Sequence, residues 1–130
     1  MRRIILDTNF LLIPLQFKVD IFSEFERICK FHYKLCILSE SIRELEGIKE
    51  NQKGKSKLSA VFALKLVKLK NIHVIETEKG YVDSLILDNA KKEDIVATQD
   101  AELRRSLAIK GVSVIHLRSR QFLEIVERNH

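Results

Sequence analysis

Four acidic residues spread along the chain have the types and placement to hold a hard cation. Asp7 directly follows the apolar run Ile4–Leu6, and Glu44 lies about one turn into the helical stretch after a second such run. Asp83 comes just past the segment ETEKGYV, and Asp100 follows IVAT. Two carboxylates ~5 Å apart repel by about 3 kcal/mol at an effective dielectric near 20. Four at one edge therefore need a counter-charge. A shared proton relieves part of the repulsion, and a helix N-terminus supplies only about half a positive charge. A divalent cation relieves more, and oxygen-only ligands without a His or Cys cluster suit Mg²⁺ or Mn²⁺. Such an ion polarises a phosphoryl oxygen and lowers the pKa of an attacking water, which is the chemistry of phosphodiester hydrolysis. Each acid also has a plainer reading: Asp7, Asp83 and Asp100 as helix caps, Glu44 as an exposed partner of Arg43 or Lys49. Four such coincidences at one edge favour the shared site.

Other catalytic patterns are missing. No Ser-His-Asp or Cys-His arrangement is visible, and with four glycines the chain has no glycine-rich phosphate loop. His32, His73, His116 and His130 lack evident partners and read as structural or surface residues. Asp88 and Asp94 read as surface acids. So does Glu102, although it stands two residues past Asp100 at the same helix start.

The elements that must position the four acids alternate. Strands are expected at Ile4–Leu6, Lys34–Leu38, Ile72–Ile75, Asp94–Ala97 and Val112–His116, all rich in β-branched or aliphatic residues. Between them run stretches with helical spacing. Asp20 caps a helix bearing Phe22, Phe25, Ile28 and Cys29 on one face, and Ser39 or Ser41 caps one through Ile48. Leu58–Leu69, Tyr81–Lys91 and Ala101–Ile109 complete the set, with Gly111 as a C-terminal cap. Pro14 is expected to end a short first helix, and the polar segment Lys49–Ser56 to be a loop. Alternating strands and helices predict a three-layer α/β/α sandwich around a central, parallel, five-stranded sheet. Near-continuous apolar strands fit a sheet covered on both faces. Sites in such sheets form beyond the carboxyl ends of the strands, where all four acids fall.

The 130 residues, 45% hydrophobic and 32% charged, are expected to form one domain, 1–130, with its own core. No apolar run approaches the ~20 residues needed to cross a bilayer, and no secretory leader is evident, so a cytoplasmic location without membrane contact is expected. Cys29 and Cys36 match no zinc or redox spacing and read as small hydrophobes in a reducing compartment. The net charge of +5 mildly favours a polyanionic partner such as RNA. Lys53, Lys55, Lys57, Arg104 and Arg105 are the candidate phosphate contacts. The apolar stretches around Phe22–Phe31 and Leu58–Leu69 could belong to the core or to a homodimer interface.

The segments ILDTNFLL, IRELEGI, VDSLIL and IVATQDAELRR, in this order, resemble the successive motifs of PIN-domain ribonucleases. The likeness spans essentially the whole chain and is strongest to small archaeal PIN proteins, which resemble both VapC-type toxins and PIN nucleases of rRNA processing. It implies an endoribonuclease in which Asp7, Glu44, Asp83 and Asp100 hold Mg²⁺ or Mn²⁺. Thr8, Asn9 and Thr98 would then orient those carboxylates and bound water. It also implies RNA as substrate and, as partner, an antitoxin or a ribosome-assembly factor. One departure stands out: the rRNA-processing members often carry two adjacent acids where this chain has Asp83-Ser84, which leaves open whether one ion binds or two. The chain also ends soon after its fifth expected strand, without a zinc-binding tail. A phosphatase of the haloacid dehalogenase type needs a second Asp where Asn9 stands, and a receiver domain needs an acidic pair and a lysine that are not found. The alternative from a different class is a catalytically weak PIN-like module for RNA binding or assembly.

Overall fold

The chain begins with a strand buried on both faces. In a computed structural model, which describes residues 1–128, β1 (Arg2–Leu6) places Ile4 and Leu6 in one core and Ile5 in another. The same alternation recurs in β2 (Tyr33–Leu38), where Ile37 faces one core and Cys36 and Leu38 the other. It recurs again in β4 (Ile95–Ala97), whose residues are all fully buried. A strand with no polar face is stable only between two covering layers, and this sheet has both. On one side pack a 3₁₀ turn at Thr8–Leu12, α1 (Ile13–Phe17), α2 (Ile21–Ile28), α3 (Ser39–Asn51) and α4 (Gly54–Leu69). On the other lie α5 (Val82–Asn89) and α6 (Ala101–Lys110).

β3 (His73–Ile75), β5 (Ser113–Arg118) and β6 (Phe122–Val126) complete a six-stranded sheet of order β3-β2-β1-β4-β5-β6. The first five strands are parallel, as expected, and β6 is antiparallel to β5. This corrects the expected count of five. β6 returns through the three residues 119–121, with Ser119 and Arg120 at φ of 55° and 56° and the Arg118 carbonyl accepting the Gln121 N–H. Its outer edge is occupied: the Leu123 N–H donates to Glu24 and the Leu123 carbonyl accepts from Arg27, both on α2. Side chains thus satisfy backbone groups that an edge strand leaves open.

The chain moves outward from β1 through β2 to β3, then crosses back to β4 on the other side of β1. The order reverses between β1 and β4, where crevices form in open sheets. There Leu6 pairs with Ala97, and the Asp7 N–H donates to the Ala97 carbonyl at 2.9 Å.

Several local expectations hold. Asp20 caps α2, accepting from the Phe22 and Ser23 N–H groups, and Gly111 ends α6 at φ 83°. Others change. Pro14 sits in the first turn of α1 rather than ending a helix, the position where its missing N–H costs nothing. The polar segment 49–56 is mostly helical: α3 reaches Asn51, α4 starts at Gly54, and only Gln52 and Lys53 connect them. Lys, Glu and Gln are good helix formers, and polarity alone does not break a helix. α5 stops at Asn89, and α3 starts without a side-chain cap; Ser39 Oγ instead accepts the Thr77 N–H at 2.8 Å.

Asp94 is not a surface acid. It is 4% exposed, and its two oxygens accept from Arg3 Nε at 3.1 Å and Nη2 at 2.7 Å, while one also accepts the Lys91 N–H. Arg3 reaches the Asn89 carbonyl as well, so this ion pair latches the turn after α5 to the amino end of β1. Both cysteines are buried and unbridged, and burial pushes the Cys29 thiol up to about 11, which fits packing rather than reactivity. Phe25 is fully buried, with Phe22, Ile28 and Phe31 packed into the same core, so that stretch belongs to the core. In α4, Ala60, Ala63, Leu66 and Val67 are buried while Leu58 and Leu69 are exposed. Among the described residues, no helix is long and apolar enough to cross a membrane.

Candidate active site

Asp7 leaves β1 at the point of reversal, where it is buried to 7% exposure and its carboxylate is held at both oxygens. Oδ1 accepts the Thr8 N–H at 2.8 Å, and Oδ2 accepts the Thr98 hydroxyl at 2.8 Å. Thr98, fully buried just past β4, also accepts the Asp100 N–H at 3.1 Å. Asp100 caps α6 by accepting the Leu103 N–H, so the cap reading and a place in the site both apply to it. Glu44 reaches in from α3, where its Oε1 accepts the Thr8 hydroxyl at 2.8 Å. The Thr8 hydroxyl shares a further 2.8 Å hydrogen bond with the fully buried Ser41. Asp83 occupies the first turn of α5, where a negative charge is favoured by the helix dipole, and it is not the capping residue.

Asp7, Glu44, Asp83 and Asp100 therefore line a single cleft of about 750 Å³, together with Thr8 and Asn9. Glu102, an exposed surface acid as expected, also lines the cleft from the first turn of α6, as its place two residues past Asp100 allowed. The acids sense one another. Burial raises the Asp7 pKa above the ordinary carboxylate value, the Thr98 hydroxyl pulls it back, and the charges of Asp83 and Asp100 push it up further. Asp83 is raised by burial and by Asp100 and Glu102. The donors are all hard oxygen atoms, which fits Mg²⁺ or Mn²⁺. Yet among the described residues no group of three or more His, Cys, Asp or Glu side chains is arranged to hold a metal ion. The carboxylates ring a cleft and do not form a closed cage.

The basic candidates lie elsewhere. Among the described residues, neither lysine nor arginine lines the acidic cleft. Lys53, Lys55 and Lys57 sit at the start of α4, Lys55 beside a separate groove lined by Leu12, Leu15 and Leu45. Arg105 is exposed on α6, and Arg104 is half-buried with a buried Nε that has no hydrogen-bond partner among the described residues. His32 and His73 are exposed, His116 pairs with Glu124 at 2.9 Å, and His130 lies outside the described residues. Sequence reasoning missed Gln99 and Tyr81, which also line the cleft, and saw Ser41 only as a helix cap. A signal for Ser41 existed: three residues before Glu44, it must share a helix face with it.

The comparisons with known proteins agree with this architecture. The PIN-like domain family matches residues 4–120, and the chain belongs to that family. Ribonuclease VapC4 of Methanocaldococcus jannaschii is 35% identical over 129 residues, covering 96% of this chain and 97% of that protein. Ribonuclease VapC9 of Archaeoglobus fulgidus is 33% identical over 126 residues, covering 95% and 90%. Among solved structures, the PIN domain endonuclease Utp24 superposes with a TM-score of 0.78 over 98% of this chain and 96% of that one. At 24% identity that likeness is one of fold.

Proposed function

We propose that this chain is a metal-dependent endoribonuclease of the VapC toxin type, with Asp7, Glu44, Asp83 and Asp100 holding Mg²⁺ or Mn²⁺. The observation that carries the reading is the cleft itself: acids from four separate chain segments meet there, and among the described residues no lysine or arginine lines it. A structural scaffold gains nothing from such repulsion. The substrate assignment draws on the two relatives named as ribonucleases, and the toxin role, with an antitoxin as partner, on the VapC name that both carry.

When bound, the cation supplies polarisation of a phosphoryl oxygen and a lowered pKa for water. The chain's own residues prepare for it. Thr8 N–H and the Thr98 hydroxyl fix Asp7 in one orientation, and the Thr8 hydroxyl does the same for Glu44. Asp83 and Asp100 complete the rim from α5 and α6, and Asn9 offers an exposed amide beside them. Ser84 adds no charge where a second carboxylate would favour a second ion, which supports a single bound ion.

The test is direct. Single-stranded and structured RNA are incubated with the protein in Mg²⁺, in Mn²⁺ and in EDTA. Cleavage that needs a metal and is lost in Asp7→Asn is the expected result. One observation favours the second reading, a PIN-like RNA-binding or assembly module: the acids form no ready-made ligand group among the described residues. RNA binding without cleavage, indifferent to EDTA and to Asp7→Asn, would establish that module and overturn the enzyme.

A further inference from the structure

The acidic cleft opposes the substrate assigned above. Five carboxylates line it and, among the described residues, no cationic side chain does, so on its own it repels the phosphates it must receive. A bound divalent ion offsets part of that charge at one point. Inside the cleft itself, a contact indifferent to charge is the kind that can hold the chain without opposing the acids.

Tyr81 has the position for it. It lines the cleft two residues before Asp83 and is 86% exposed, far more than the other exposed aromatics, Phe17 and Phe122, at 37% each. A single exposed aromatic ring is ordinary on a protein surface. This one differs in its place at the lip of a cleft and in how firmly its backbone is anchored. Upstream, Ser39 holds the Thr77 N–H at 2.8 Å, and Glu40 accepts the Gly80 N–H at 3.4 Å. Downstream, the Tyr81 carbonyl accepts the Leu85 N–H at 3.0 Å as the first bond of α5. The ring is thus an apolar face left in water on a fixed elbow. Aromatic faces of this kind stack nucleic-acid bases with little regard to sequence or charge.

We propose that the Tyr81 ring is a stacking platform for a base beside the phosphate presented to Asp7, Asp83 and Asp100, making it a substrate-positioning residue. This rests on the nuclease reading above. Because a paired, stacked base has no free face, the platform engages a base only where the strand is open.

The experiment compares wild-type protein with Tyr81→Ala and Tyr81→Phe on a single-stranded RNA oligomer carrying 2-aminopurine, whose emission falls when it stacks. Turnover is measured first, in Mg²⁺. The expected result is a KM about tenfold higher in Tyr81→Ala, with kcat within about twofold and Tyr81→Phe close to wild type. The slope of log KM against log salt stays unchanged, because no charge is removed. Emission is then read in an Asp7→Asn background that keeps the oligomer intact. Quenching is expected with the native ring and with Tyr81→Phe, and none with Tyr81→Ala. An unchanged KM in Tyr81→Ala, or Tyr81→Phe as impaired as Tyr81→Ala, overturns the proposal, as does equal quenching in all three. If the wild type cleaves no RNA, the nuclease reading fails, and the quenching alone still decides whether the ring stacks a base.

Discussion

At Asp7, burial and the charges of Asp83 and Asp100 oppose ionisation, while two hydrogen bonds favour it. The balance leaves its pKa above that of the unfolded chain. The native state then binds the proton more tightly than the unfolded state, so the protonated form contributes stability at low pH. That contribution disappears as pH rises through the raised value. At neutral pH the metal-free protein carries the cost of the bare charge. Asp7→Asn is therefore expected to lower RNA cleavage by at least about a hundredfold and to raise the melting temperature of the metal-free protein by a few degrees at pH 7. The gain should shrink as pH falls, and Mg²⁺ should raise the melting temperature of the wild type more than that of the variant. Calorimetry across pH, with and without metal, checks both. Thr98→Val removes the hydroxyl that serves Asp7 and Asp100 together, and a loss of rate of roughly ten- to a hundredfold is expected by steady-state assay. The triplet Asp7-Thr8-Asn9 is legible in the sequence, because short polar residues interrupt two apolar runs. Asp94 is not legible, because its partner Arg3 lies 91 residues away and no local pattern connects them.

Among the elements, the five parallel strands are legible from their aliphatic and β-branched runs, and the acids are legible as a group because each follows a strand. β6 escapes detection because its turn carries Ser119-Arg120 where a left-handed pair normally shows Asn-Gly. Both residues occupy a conformation that costs an L-residue roughly 1–2 kcal/mol. Ser119→Asn with Arg120→Gly is expected to stabilise the protein by about 1 kcal/mol in urea unfolding, net of the contact that Arg120 makes over the Phe17 ring. The connection between α3 and α4 is misread for the opposite reason, since charged helix formers look like a loop when no apolar stripe runs through them. Asp94→Ala leaves Arg3 facing an emptied socket and should cost about 2 kcal/mol, less than for a fully buried pair because Arg3 remains 29% exposed. Urea unfolding measures it, and cleavage should persist wherever the protein stays folded.

For the molecule as a whole, the net charge of +5 and the acidic cleft are separate facts. Composition shows the first, and only the fold shows that no lysine or arginine among the described residues lines the cleft. If the chain takes RNA as proposed, the basic residues would act at a distance from the acids, by attracting and retaining it. Replacing Lys53, Lys55 and Lys57 with Gln is expected to raise KM at low salt with kcat unchanged. The salt slope should fall by about 1 for each phosphate contact removed. An unchanged KM at every salt concentration would return these lysines to the role of solvating the surface. The latch at Arg3 and the carboxylate at Asp7 stand at opposite ends of one short rod, about 13 Å apart at the usual rise of a strand. On the proposed reading, a stabilising ion pair and a metal-holding carboxylate thus stand at the two ends of β1, and selection could adjust how long the protein survives heat without altering the cleft.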